Sequence, residues 1–179
     1  MHLVPAKTSV TELTHRNDEF VRFNFSNTLG RVPAILKEQQ TKNTPESRQI
    51  GTAVHLLISS IDPSRKVDLH VIEQTRLELI AQNQLSETIA QHINIETIAN
   101  FFDSELGKLV IGNKNNVLRE WPFTFAEKVT SNDFSIVQGI VDMLIHTPDG
   151  LVIIDFKTDK VAEKQVSERA ELYRGQLEL

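Results

Sequence analysis

Gly139-Ile140-Val141-Asp142 leads through Met143-Leu144-Ile145-His146 to the turn Thr147-Pro148-Asp149-Gly150, and from there to Leu151-Val152-Ile153-Ile154-Asp155-Phe156-Lys157. Pro at the second turn position and Gly at the fourth favour a tight reversal. The flanking apolar runs, Phe134 to His146 and Leu151 to Lys157, are therefore predicted to be two strands of a hairpin. If the hairpin closes symmetrically about Pro148 and Asp149, Asp142 lies opposite Asp155 and both side chains share one face. Like charges placed so destabilise a sheet by roughly 0.2 to 1 kcal/mol. A cation between them reverses the sign, and hard carboxylate oxygens suit Mg²⁺ or Mn²⁺. Lys157, two residues beyond Asp155, falls on the same face of an extended strand. There it could orient or deprotonate an attacking water, or neutralise charge developing on a phosphate. Asp155-Phe156-Lys157 is the only [DE]-x-K triplet in the chain. The purely structural alternative is an Asp155 to Lys157 ion pair with Asp142 left in solvent.

Outward from this hairpin, Leu151 to Ile154 is apolar on both faces, as in a central strand covered on both sides. The tail from about Ala162 to Leu179 carries Val166, Ala170, Tyr173 and Leu177 on one helical stripe, which predicts a helix packed back onto the sheet. Upstream, a third strand is expected from Val117 to Val129, after the polar break Asn113 to Asn116. The earlier part reads as helical. Ile50, Ala53, Val54, Leu57, Ile58 and Ile61 keep helical spacing and stop before Pro63. Further helices are expected over about Ile72 to Leu85, Ser86 to Ile93 and Glu96 to Ile111. Ser9 with Glu12 has capping-box spacing for a short helix through about Arg16, and Lys37 to Arg48 reads as a loop. The chain thus divides into a mainly helical part, residues 1–112, and a strand-rich core with its following helix, residues 113–179.

With 179 residues, 40% of them hydrophobic and 24% charged, the chain has the composition of one globular domain. No apolar run approaches the roughly 20 residues that span a bilayer and no secretory signal is visible, so a cytoplasmic location is the expectation. The absence of cysteine excludes a disulfide, thiol catalysis and any cysteine-held zinc or iron-sulfur centre within this sequence. A metal would have to be held by Asp, Glu, His and backbone oxygen. Of the six histidines, His55 lies on the flank of its helix's apolar stripe, and none has H-E-x-x-H spacing. Phosphate-binding G-x-x-x-x-G-K-[ST], the G-x-S-x-G elbow and the dinucleotide fingerprint G-x-G-x-x-G are all missing. The net charge of -5 counts against strong nucleic-acid binding by the chain alone.

Six ordered blocks resemble the RecB-like nuclease domains of the PD-(D/E)xK superfamily, in particular those of AddAB-type helicase-nucleases. They are Ser9-Val10-Thr11-Glu12-Leu13, Gly51-Thr52-Ala53-Val54-His55, Arg119-Glu120-Trp121-Pro122-Phe123, Gly139-Ile140-Val141-Asp142, Asp155-Phe156-Lys157-Thr158-Asp159 and Tyr173-Arg174-Gly175-Gln176-Leu177. The resemblance implies an α/β, restriction-endonuclease-like fold: a mixed sheet flanked by helices, with a helical N-terminal part. It implies His55, Asp142 and Asp155 as metal ligands, the Phe156 carbonyl as a further one, Lys157 as the catalytic lysine and Gln176 as the motif glutamine that steadies the site. The expected cofactor is Mg²⁺, with Mn²⁺ as a substitute. The expected partners are DNA, the helicase domains of an AddA-type parent chain and an AddB-type subunit. The family pattern continues with a tyrosine four residues after Gln176, so the core is expected to be truncated at its C-terminal end. The implied activity is exonucleolytic hydrolysis of DNA phosphodiesters in double-strand-break repair and recombination. A degenerate nuclease fold kept for DNA or subunit contacts is the non-enzymatic alternative. A sequence-specific restriction enzyme would need base-reading loops that the sequence does not display.

Overall fold

The computed structural model describes residues 7–9, 45–128, 134–158 and 163–177. The elements run in the order β1 (Lys7–Ser9), α1 (Ser47–Ser60), α2 (Leu69–Ala81), α3 (Glu87–Ala90), α4 (Ile95–Asp103), α5 (Glu105–Gly112), β2 (Val117–Lys128), β3 (Phe134–Thr147), β4 (Gly150–Ile154) and α6 (Val166–Leu177). The sheet is mixed. β3 pairs antiparallel with β2 along most of its length, parallel with β1 near its start, and antiparallel with β4 near its end. Since β2 takes one edge of β3, the two shorter strands share the other.

The hairpin register expected from the turn is the one observed: Thr147 pairs with Gly150, His146 with Leu151 and Met143 with Ile154. The ladder stops there, and Asp155 to Lys157 continue outside the strand instead of within it. The expected helix from Ser9 to Arg16 lies outside the described residues after Ser9, which itself ends β1.

α1 follows its apolar spacing, with Ala53, Leu57 and Ile58 buried and Ile61 buried just beyond its end. The Gln49 side chain accepts a hydrogen bond from the Glu46 N–H at 2.8 Å, satisfying a donor at the helix start. The one long helix expected over Glu96 to Ile111 is two. Ser104 closes α4, its hydroxyl donating to the Phe101 carbonyl at 2.6 Å, and opens α5 by accepting from the Gly107 N–H at 3.1 Å. Serine competes for backbone groups in this way and favours helix starts over interiors. The corner also needs glycine, because a Cβ at Gly107 would sit 2.1 Å from the Phe101 carbonyl oxygen.

The core is built mainly by the helices, with Leu57, Ile61, Ile72, Leu85, Phe102 and Val110 fully buried. Met143, Ile145 and Ile154 bring one face of the sheet into it. Two expectations fail on the other face. Leu151 and Ile153 are exposed, so β4 is covered on one side only among the described residues. The α6 stripe is not buried as expected: Val166 and Ala170 are exposed, and of residues 164–174 only Tyr173 is half-buried. Helical periodicity identified the helix, but it carries no information about which surface a weakly apolar stripe meets. No helix among the described residues is long and apolar enough to cross a membrane.

The contrast between α1 and α6 predicts the outcome of two truncations. Leu57→Ala should cost about 2 to 5 kcal/mol, as deletion of a buried leucine does. Leu172→Ala should stay within about 0.5 kcal/mol of the starting chain. Chemical denaturation midpoints of the two variants give the comparison directly.

Candidate metal centre

Four segments meet where α1 crosses the end of the hairpin. α1 contributes His55, β2 Glu120, β3 Asp142, and the segment after β4 contributes Asp155, Phe156 and Lys157. α1 approaches the last of these closely: a Cβ at Gly51, one turn before His55, would stand 3.0 Å from the Thr158 hydroxyl. At the other end of the helix the Arg119 guanidinium donates to the Ser59 carbonyl at 2.7 Å. A cation suits a helix C-terminus, and this one fastens α1 to the strand residue preceding Glu120.

Asp142 holds the cluster together. One of its oxygens accepts from the Phe156 backbone N–H at 2.7 Å, and the other lies 3.1 Å from His55 Nδ1. His55 Nε2 lies 2.9 Å from the Phe156 carbonyl. Both imidazole neighbours are acceptors, so both contacts are hydrogen bonds only when the ring is protonated. The electrostatics agree. Burial by itself pulls the His55 pKa down, but the Asp142 hydrogen bond, the charges of Asp142 and Glu120 and the Phe156 carbonyl outweigh it and leave it raised above 6.5.

Glu120 is the residue that sequence reasoning passed over. It sits inside the Arg119-Glu120-Trp121-Pro122-Phe123 block, whose residue pattern assigns it no chemical role. Its neighbours Arg119 and Trp121 pair with Met143 and Val141, which places Glu120 level with Asp142. Glu120 itself drops out of the ladder with φ +48, a left-handed conformation that a non-glycine residue adopts at a cost of about 1 to 3 kcal/mol. Although the residue is exposed overall, its carboxylate has lost solvent. Burial first and the Asp142 charge second push its pKa up, against a smaller downward pull from His55.

Ligand-type atoms of His55, Glu120 and Asp142 all lie within 4.8 Å of one another. Asp155 is not in that trio. The register carries it to the level of Asp142, but its carboxylate is paired with Lys157 Nζ at 2.5 Å. The ion pair of the structural alternative therefore forms, while its other half fails: Asp142 is 11% exposed and engaged by two partners instead of being solvated. Phe156 is anchored through its ring as well, edge-on to Phe101 at 5.0 Å and to His55 at 6.2 Å. Gln176 falls in the last turn of α6, and its side chain lies outside the described part of the chain.

An imidazole and two carboxylates converging beside a fixed backbone carbonyl form an oxygen-rich donor set suited to a divalent cation. Lys157, paired with Asp155, follows that carbonyl by one residue. The chain belongs to the PD-(D/E)XK nuclease superfamily, which it matches over residues 8–179. It is similar to proteins whose names describe one subunit of an ATP-dependent helicase/nuclease. The relative in Thermoanaerobacter sp. (strain X514) is 33% identical over 193 residues, covering 98% of this chain. Those of Pediococcus pentosaceus and Moorella thermoacetica are 34% and 30% identical over 75% and 88% of it. The chain spans only 12 to 15% of the length of these relatives.

A raised folded-state pKa has a definite linkage sign. In the metal-free chain the His55 to Asp142 pair contributes its full stability below the ordinary value of 6.5 and loses it as pH rises through the raised value. Titration of the His55 ring protons by NMR should give a midpoint above 6.5, and Asp142→Asn should lower it. A midpoint unmoved by that substitution would contradict the contact.

Proposed function

We propose that this chain is the metal-dependent nuclease module of an AddAB/RecBCD-type helicase-nuclease, hydrolysing DNA phosphodiesters during double-strand-break repair and recombination in the cytoplasm. The observation that carries the reading is the double engagement of Asp142, by His55 and by the Phe156 N–H, directly beside the Asp155 to Lys157 pair. Superfamily membership supports the reaction class, and the names of the relatives support a helicase-bearing parent.

The residues that would hold Mg²⁺ or Mn²⁺ are His55, Asp142 and Asp155 with the Phe156 carbonyl, and Glu120 adds a further carboxylate. When bound, such a cation supplies an acidified water and charge stabilisation at a phosphoryl oxygen. The chain supplies the rest. Asp142 holds the peptide between Asp155 and Phe156 through its N–H, and His55 faces the carbonyl of the following peptide, so the residue between Asp155 and Lys157 is held from both sides. Lys157 presents an ammonium group one residue further on, where it orients water or meets the negative charge gathering on phosphorus. Water oxygen bonds to phosphorus, the bond to the leaving sugar oxygen breaks, and the proton lost by the water balances the one that oxygen gains. Gln176, in the helix that follows, is assigned the steadying role. The partners of this module are DNA, the helicase portion of the parent chain and an AddB-type subunit.

The charge of -5 fits delivery by tethering. A module with this balance releases few counterions on binding DNA. A short linker to a motor that threads the strand supplies an effective concentration in roughly the millimolar range, so little intrinsic affinity is needed.

Two tests follow. Calorimetric titration of the chain with Mn²⁺ should show binding that Asp142→Ala abolishes, and Lys157→Ala in the intact parent should remove cleavage of single-stranded DNA while metal affinity stays within about twofold, since lysine is no ligand here. Equal Mn²⁺ affinity in Asp142→Ala would defeat the reading and leave a nuclease fold without catalysis. The isolated chain should also cleave the same substrate far more slowly than the parent at physiological salt, with a shallow salt dependence of binding. Equal rates would remove tethering from the account.

A further inference from the structure

The Asp155 carboxylate accounts for only one side of the Lys157 ammonium group. On another side lies Tyr173 of α6, with Lys157 Nζ 4.9 Å from the centre of its ring, well within the range of a cation–π contact. The same ring has the Arg169 guanidinium at 6.0 Å, at the edge of that range and one turn earlier on α6. Lys157 is 33% exposed, so the contact is partly withdrawn from solvent and stronger than a fully hydrated one. Tyr173 is also the half-buried member of an otherwise exposed stretch, residues 164–174.

We infer that Tyr173 is a positioning residue for the reaction: its ring face and the Asp155 carboxylate together hold the Lys157 ammonium at the metal centre. The physical need is clear from the side chain. Lysine carries a point charge on a flexible four-carbon stem, and a single ion pair leaves that stem many rotamers. A carboxylate satisfies one N–H direction, and an aromatic face attracts the cation without taking a specific donor. Two different contacts thus confine the nitrogen while leaving N–H groups for a water or a phosphoryl oxygen. The arrangement further makes the seating of α6 a condition for Lys157's placement, which gives that exposed helix a part in the chemistry. This inference rests on the nuclease reading above.

The test uses Tyr173→Phe, which keeps the ring, and Tyr173→Leu, which keeps apolar bulk and loses it. In the chain itself, NMR should show the Lys157 side-chain methylene protons shifted upfield by the ring. The shift should survive in Tyr173→Phe and vanish in Tyr173→Leu, a readout that needs no nuclease activity. In the intact parent with Mg²⁺, kcat on single-stranded DNA should fall about tenfold in Tyr173→Leu, on the scale of a partly desolvated cation–π contact. KM and Mn²⁺ affinity should be unchanged, and Tyr173→Phe should remain within about twofold of the parent on the same scale. A purely structural role would lower thermal stability without this split between kcat and KM. Unchanged kcat in Tyr173→Leu, or a Tyr173→Phe variant as impaired as Tyr173→Leu, overturns the positioning role while the nuclease reading stands. An intact wild-type parent that cleaves no DNA overturns the nuclease reading itself, and the NMR shift then reports a structural contact.

Discussion

Phe156 is where the chain's two halves are joined. Its N–H is held by Asp142 of β3, its carbonyl faces His55 of α1, and its ring packs edge-on against Phe101 of α4. A strand, a helix from the first half of the chain and the helical core are therefore referenced to one residue just past the end of β4. The cost of leaving a buried N–H or carbonyl without a partner is about 1 to 3 kcal/mol, so each of these contacts resists displacement. The D-x-K triplet inherits this order. Asp155 and Lys157 flank a residue whose N–H and carbonyl, on two successive peptides, each have a partner, which is how a segment outside any strand can still present two charged side chains in a defined direction.

Strain is found where that order meets charge. Glu120 occupies a left-handed conformation in the middle of β2, leaving the ladder at the one position level with Asp142. A regular strand there would keep its pairing with β3. Glu120 here lies close to Asp142, and burial first and the Asp142 charge second raise its pKa; the departure persists because β2 is paired on both sides of the break and Arg119 is anchored to the Ser59 carbonyl. Backbone strain held in place by its surroundings in this way is characteristic of functional sites.

How much of this was legible in the sequence depended on whether the deciding interaction was local. The turn at Pro148 and Asp149 is two residues long, so it fixed the register from Thr147 and Gly150 to Met143 and Ile154, whereas the expected Asp142 to Asp155 pair falls just past the end of that ladder. The longer connection between β2 and β3 has no such rule, and Glu120 could not be put opposite Asp142 from pattern alone. Ser104 was overlooked as a helix boundary because apolar spacing continues through it from α4 into α5, whereas the break is made by side-chain hydrogen bonds. The α6 stripe was visible, but which surface it meets is a tertiary matter, and what it brings to the site is an aromatic ring over a lysine instead of an apolar face on a sheet. His55 illustrates the opposite case: its flank position on α1 is uninformative by spacing, and only the ordered blocks around it pointed to the site.

The same geometry sets the charge balance of the cluster. Asp142 and Glu120 are two carboxylates in a partly desolvated space, an arrangement that repels itself unless positive charge is present. His55, whose pKa is raised, can supply it when protonated, donating to Asp142 and to the Phe156 carbonyl, while Lys157 pairs separately with Asp155. Were His55 a metal ligand, as proposed above, it would bind in its neutral form, so metal binding and loss of its proton would be linked. The bond from Phe156 to Asp142 comes from a backbone N–H, so it can hold the Asp155 to Phe156 peptide in either protonation state of the imidazole.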